Sequence, residues 1–255
     1  MHTLPLPKVQ TDLTANTKQV PNGQIESPTS SSPRPAALPV RLTAQQLQFL
    51  LRVVPAALAS QREYGIPAGV TVAQAILESA TAAGWGSSSL FRLANNPFGI
   101  KYCHFGPAHG LQPATPIPED YGHFDAQTWE IENGQKKTMV AQFQRFPNLT
   151  EAFRCHALLL AKSPRYAPAM AAIRSDIRSP ESHGQNTADP APCSPDWMKF
   201  AERLGPKTSP LDWEHCGYST NPSYSAELIK LVGLYRLNDP RALRWYAEGA
   251  DPGPA

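Results

Sequence analysis

The chain has 255 residues, with 23 Lys plus Arg against 21 Asp plus Glu, a net charge of +2 and 41% hydrophobic residues. So small a charge excludes an electrostatic case for nucleic acid, and no apolar run approaches the roughly 18 residues that a membrane span needs. The length suits one sizeable domain with tails, or two small ones.

Residues 1–40 are rich in Pro, Ser, Thr, Asn and Gln, densest at SPTSSSPRPAALP. They hold too little apolar surface to offset ordering entropy, so a disordered arm is expected. MHTLPLPKVQTDLTANTKQV lacks an apolar core of about 7–15 residues, so no conventional secretory signal is read there. Thr43 is the expected N-cap of a first helix, with Leu47, Leu50, Leu51 and Val54 at spacings of three and four and a kink at Pro55. That helix is expected to end near Tyr64, before the turn Gly65-Ile66-Pro67.

The second helix starts between Pro67 and Val70. Ala73, Ile76, Leu77 and Ala80 form its buried stripe, and Thr71, Gln74, Glu78 and Thr81 a polar stripe at the same period. Glu78 therefore sits beside the core on the side that can line a groove. Gly84-Trp85-Gly86 is the expected stop. Ser87 to Ser89 then cap a short helix through Leu93, and Asn95-Asn96-Pro97-Phe98-Gly99-Ile100 reads as a turn.

The chain from Lys101 to Asp125 is loop-like and leads into a hairpin. Trp129 and Ile131 alternate with Thr128, Glu130 and Glu132, Asn133-Gly134 is a strong hairpin turn signal, and the return strand is expected from about Lys137 to Phe146. Leu149, Ala152, Phe153, His156 and Leu160 share one face of a further helix. Shorter helices follow over about 163–174, 195–204 and 223–235, with an insertion loop over 175–195. A single domain over 41–240, followed by a tail over 241–255, is a helix-dominated α+β fold. Cys103, Cys155, Cys193 and Cys216 show no CxxC spacing, and a Cys193–Cys216 disulfide and four reduced thiols stay open as alternatives. The seven His show no HExxH spacing, so neither metal nor cofactor is expected.

A glycosidase needs an acid to protonate the leaving oxygen and a second group across the scissile bond. Glu78, near the end of a helix and flanked by Ile76, Leu77 and Trp85, has the setting in which desolvation favours the neutral carboxyl. Glu130, on the polar face of the hairpin, is the candidate partner, with Glu132 its rival on the same face.

The segments AQAILES, GWGSSSL and ANNPFGIK resemble the signature of glycoside hydrolase family 73. The resemblance continues through TWEIENG, AQFQRFPNLTEAFRCHALLL, SPRYAPAM and GYSTNPSYSAELIKLV, in family order over about residues 42 to 236. It implies a lysozyme-like fold with a small β-hairpin lobe. The activity implied is that of an endo-β-N-acetylglucosaminidase on peptidoglycan. By the same resemblance Glu78 is the general acid, Glu130 the second carboxylate, and Tyr218 an aromatic that positions substrate or intermediate. Tyr224 lies near the cleft, Asn95, Asn96 and Phe98 shape the sugar subsites, and Trp85 and Trp129 suit stacking on sugar faces, with a core role as the competing reading.

One departure from the family is the four residues Ala80 to Ala83 between Glu78-Ser79 and the Gly-Trp-Gly break. As helix they add about 1.1 turns. The insert from Ser175 to Cys216 is another.

The alternatives are an N-acetylmuramidase on the same polymer and a non-catalytic wall-binding or assembly module. The expected partner is the peptidoglycan glycan strand, with a secretion-machine, phage or immunity-protein partner implied by a wall substrate without a visible signal. Specialised secretion or phage-type release, with residues 1–40 as the handle, is the expected route to the wall.

Overall fold

Thr43 starts the first helix by reciprocal capping. Its hydroxyl accepts from Gln46 N at 3.2 Å, and its own N–H donates to Gln46 Oε1 at 2.9 Å. Two amides of the first turn are thereby satisfied. The helix, α1 (Ala44–Tyr64), carries Pro55 inside it and stops at Gly65, whose φ of 72° is left-handed. The computed structural model describes residues 41–102, 121–132, 135–174 and 196–249, with the side chains of 129–132, 135, 136 and 174 not among them. The expected arm over 1–40 and insertion loop over 175–195 lie outside the described residues, as do Cys103 and Cys193 of the cysteine pairing question.

Pro67 begins the next helix, α2 (Ala68–Ser79), without a side-chain cap of its own. Gln61 of α1 supplies one, accepting from Ala68 N at 2.7 Å. Ala73 and Ile76 are buried as the spacing predicts, but α2 is also buried along its polar stripe at Thr71 and Gln74. The polar stripe therefore opens to no groove until Glu78, because α1 covers one flank of α2 and a later helix, Tyr224–Leu234, covers another.

The stop comes earlier than Gly84-Trp85-Gly86. Ala80 is extended (φ −75°, ψ 146°), and Thr81 and Gly84 exchange backbone hydrogen bonds at 3.1 and 2.9 Å. The Thr81 hydroxyl meets Ser87 Oγ at 2.6 Å and accepts from Ala83 N at 3.1 Å. A threonine that satisfies neighbouring backbone in this way competes with helix continuation. The residues Ala80 to Ala83 thus form a turn and add no helix, which corrects the expected extra turn. Gln45 of α1 clips this turn in place through Ala83 O at 3.0 Å and Trp85 O at 3.3 Å.

Ser88 caps α3 (Ser89–Ala94), as its position predicts, and Asn95 ends it with a left-handed φ of 50°. The hairpin is β1 (His123–Glu132) against β2 (Gln135–Gln144), antiparallel from His123↔Gln144 to Glu132↔Gln135. The return strand is thus two residues earlier than expected. Phe146 leaves the ladder because its N–H donates to Ala94 O at 2.9 Å and its carbonyl accepts from Asn95 Nδ2 at 3.0 Å. The Asn133-Gly134 turn lies outside the described residues.

Asn148 caps α4 (Leu149–Lys162), and a 3-10 turn at Pro164–Tyr166 leads to α5 (Ala167–Arg174). After α6 (Trp197–Arg203) comes a loop organised by Asp212, which accepts from Thr208 N and His215 N. The loop closes on itself where Cys216 N donates to Arg203 O and Tyr218 N to Leu204 O. The chain then enters α7 (Tyr224–Leu234). Last is α8 (Pro240–Glu248), a short helix that extends into the expected tail segment. Ala242, Leu243, Trp245 and Tyr246 join the core, and the Tyr246 hydroxyl donates to Tyr235 O at 3.2 Å. The observed architecture is helix-dominated with one small two-stranded sheet, as the sequence pattern implies.

Candidate active site

Glu78 sits in the last turn of α2, where the turn at Ala80 bends the chain away and leaves its carboxyl facing the segment before α7. The Tyr224 hydroxyl, from the first turn of α7, donates to Glu78 Oε1 at 3.2 Å. Glu78 keeps part of its surface in solvent, yet the packing around its carboxyl removes most of its water. That desolvation pushes its pKa up from 4.5 to about 7, against a smaller lowering by the Tyr224 hydrogen bond.

The cover comes from phenols. Tyr218 and Tyr224 stack at 5.6 Å with 16° between planes, and Tyr166 lies 5.9 Å from Tyr218. Burial raises the pKa of all three hydroxyls, and the Glu78 carboxylate raises each further. They stay neutral donors at any pH at which the protein works.

Two buried polar groups stand behind the phenols. Gln74 Nε2 donates to the Tyr224 hydroxyl at 3.3 Å, and His156 Nε2 lies 3.1 Å from the Tyr218 hydroxyl. His156 stacks on Phe98 at 3.9 Å, and burial drives its pKa down to about 3, so it is neutral. Arg165 holds the loop segment into Tyr218 by donating from Nε to Cys216 O at 2.9 Å and from Nη2 to Gly217 O. Cys216 is buried in that segment.

Glu78, Tyr218 and Tyr224 therefore lie together. At 3% exposure each, both tyrosines serve first as the wall that holds Glu78. Asn95 and Asn96 use their side-chain amides on backbone, and Phe98 lies behind His156. Asn95 Nδ2 bonds Phe146 O and Pro147 O, and the Asn96 amide is consumed by Ile100 N, Ile100 O and Gln144 O. Phe98 is buried between Phe153 and His156.

Trp85 takes the core reading of its two alternatives. It packs edge-on to Phe49 at 5.9 Å and to Tyr235 at 4.8 Å. Tyr235 follows the last residue of α7 and Tyr224 is its first, which puts them roughly 16 Å apart along the helix. Trp85 thus belongs to the core at the other end of α7 from Glu78, and the expected apolar cover by Trp85 is supplied by tyrosines instead. Glu130 and Trp129 pair with Lys137 and Thr138 along the hairpin, and their side chains lie outside the described residues.

Gln74, Tyr166, Arg165 and His156 were not singled out as site residues by sequence reasoning. The signals were an amide one turn before Glu78 on the same stripe, an Arg-Tyr pair in SPRYAPAM, and an imidazole on an otherwise apolar helix face. Among the described residues no group of three or more His, Cys, Asp or Glu is placed to hold a metal, and no helix is long and apolar enough to cross a membrane.

The chain is 25% identical over 215 residues to the peptidoglycan hydrolase FlgJ of Salmonella typhimurium, covering 82% of this chain and 52% of that protein. It is 31% identical over 177 residues to the exo-glucosaminidase LytG of Bacillus subtilis, covering 69% and 47%. The chain thus spans about half the length of the curated relatives it matches. Its fold is similar to the catalytic domain of the autolysin Auto from Listeria monocytogenes, with a TM-score of 0.53 at 20% identity over 79% of this chain and 90% of that one. Residues 54–237 match the family described as mannosyl-glycoprotein endo-beta-N-acetylglucosaminidase, and with that span and a wall of phenols around one carboxyl, the chain belongs to the glucosaminidase family.

Proposed function

We propose that this chain is a peptidoglycan hydrolase that cleaves the β-1,4 bond after N-acetylglucosamine, with Glu78 as general acid. The observation that carries the reading is a carboxyl at about 7, facing phenols, in a member of a glucosaminidase family. The names of FlgJ and LytG supply the polymer and the sugar.

A pKa near 7 leaves about half of Glu78 protonated at neutral pH, the balance that favours acid catalysis there. The carboxyl proton passes to the glycosidic oxygen as the C1–O bond breaks, and the leaving sugar departs as an alcohol. Glu78 is left as a carboxylate, which the Tyr224 hydroxyl stabilises by donating to Oε1. Water then supplies the hydroxyl at C1 and a proton that restores the acid. Glu130 is the proposed second carboxylate, either activating that water or balancing positive charge while the substrate's acetamido group attacks; the inverting route needs the two carboxyls about 6.5–9.5 Å apart. Tyr218 is proposed to position the reacting sugar.

The substrate puts the work of the protein at the cell wall, in the periplasm or outside the cell. Residues 1–40 are proposed as the handle for a specialised route there, and a truncated chain that still reaches the wall would dismiss that role.

The test of activity is digestion of purified peptidoglycan by wild type and Glu78→Gln, with reduction and mass spectrometry of the fragments. Reducing-end N-acetylglucosamine is expected from wild type, and a loss of at least about 100-fold in Glu78→Gln. Reducing-end muramic acid would make the chain a muramidase. No cleavage by either protein would leave a binding module. Release of terminal units alone would make it exo-acting, as LytG is named.

A further inference from the structure

Gln74 is completely buried on α2 and takes no part in the chemistry above. It sits one helical turn before Glu78, with Nε2 on the Tyr224 hydroxyl and Oε1 without a partner among the described residues. A tyrosine hydroxyl has one proton and accepts through its oxygen. Its proton goes to Glu78 Oε1, so its oxygen has to receive, and Gln74 is the donor that faces it. With the amide turned over, both N–H donors would be stranded and the single Tyr224 proton would face two acceptors, Gln74 Oε1 and Glu78 Oε1, whereas the present orientation leaves one N–H and the carbonyl without a partner among the described residues. The order Gln74 → Tyr224 → Glu78 Oε1 therefore has one direction.

That direction bears on which oxygen carries the acidic proton. With Oε1 occupied as an acceptor in both protonation states, the proton of the neutral carboxyl resides on Oε2. We propose that Gln74 is a positioning residue of the reaction, orienting the Tyr224 hydroxyl so that Glu78 holds its transferable proton on Oε2. The proposal rests on the reading of Glu78 as the acid. The groups facing Glu78 among the described residues are Tyr224 from α7, Tyr218 from the segment before it and Tyr166 from the 3-10 turn, with Arg165 beside the last two. Of these, Tyr224 is the one whose hydroxyl bonds to Glu78, and Gln74 is what steers it.

The experiment follows kcat, KM and their pH dependence on solubilised glycan strands, together with the Glu78 carboxyl titration by carbon-13 NMR. Gln74→Met keeps the length of the side chain and removes the donor. It is expected to lower kcat about tenfold with KM within about twofold, the signature of a misaimed group and not of lost binding. The Glu78 titration and the alkaline limb are expected to move to higher pH, because the ionised carboxyl loses a pre-aimed donor. Gln74→Glu donates to Tyr224 only while its own carboxyl is protonated, so its activity relative to wild type is expected to recover as pH falls. In a Tyr224→Phe background, Gln74→Met is expected to add no further shift.

A Gln74→Met protein with wild-type kcat and an unmoved Glu78 titration would overturn the proposal, as would a full shift in the Tyr224→Phe background. Should the Gln74 variants not fold, Tyr224→Phe alone has to move the titration, and an unmoved titration is again fatal. Activity retained by Glu78→Gln would instead sink the assignment of the acid, which the NMR titration does not presuppose.

Discussion

Glu78 shows how one residue trades stability for a carboxyl that keeps its proton towards neutral pH. Its carboxyl carries a folded value of about 7 against an ordinary 4.5, so it binds its proton more tightly folded than unfolded. Stability from this group is full below about 4.5 and is lost as pH rises to about 7. Glu78→Gln removes the ionisation and keeps an acceptor for Tyr224. The gain in thermal midpoint of Glu78→Gln over wild type should therefore be larger at pH 8 than at pH 5. The difference should be on the order of 1–2 kcal/mol, discounted because Glu78 retains some solvent contact. Scanning calorimetry at the two pH values checks this, and equal gains would contradict it. Asn96 makes the opposite kind of contribution. Its amide satisfies Ile100 N, Ile100 O and Gln144 O from a buried position. Asn96→Ala strands those groups, and urea denaturation should show a loss of about 2–4 kcal/mol.

At the scale of elements, α2 works because it is gripped on its flanks and released at its end. Gly69 lies so close to α7's exit that a Cβ there would collide with the carbonyl of Leu237. Backbone does not yield as a flexible side chain does, so Gly69→Ala should cost about 1–3 kcal/mol, read as a lower thermal midpoint. An unchanged midpoint would mean that α2 and the Leu237 segment are free to separate. The other end of α2 is set by Thr81, Gly84 and Ser87, whose mutual hydrogen bonds replace helix with a turn. That turn brings Glu78 to the end of a helix, with the phenols of the following elements within reach.

For the whole molecule, Glu78 and His156 oppose each other in pH. His156 is held neutral at about 3 against an ordinary 6.5, so its contribution is full above about 6.5 and is lost as pH falls towards 3. Between about 4.5 and 6.5 the two slopes run in opposite directions and largely cancel. The thermal midpoint should therefore vary little in that window on account of these two groups and fall most steeply below it. His156→Gln should flatten the acid side, and an acid fall as steep as wild type would refute the assignment. The same histidine links Phe98 below to Tyr218 above, so acid loss of stability should reach the site early.

The sequence by itself determined the helix-dominated class, the antiparallel pairing of two strands and the cap at Thr43, because periodicity and turn chemistry are local properties. It also put Tyr218 and Tyr224 in one block ahead of a helix. Tertiary structure decided what surrounds the carboxyl. Trp85, seven residues from Glu78, went to Phe49 and Tyr235, while Gln74, Tyr224 and Tyr218 converged from positions as far as 150 residues apart. Desolvation depends on every atom packed around a group, so the shift of Glu78 to about 7 belongs to the packed molecule and to no single segment of it.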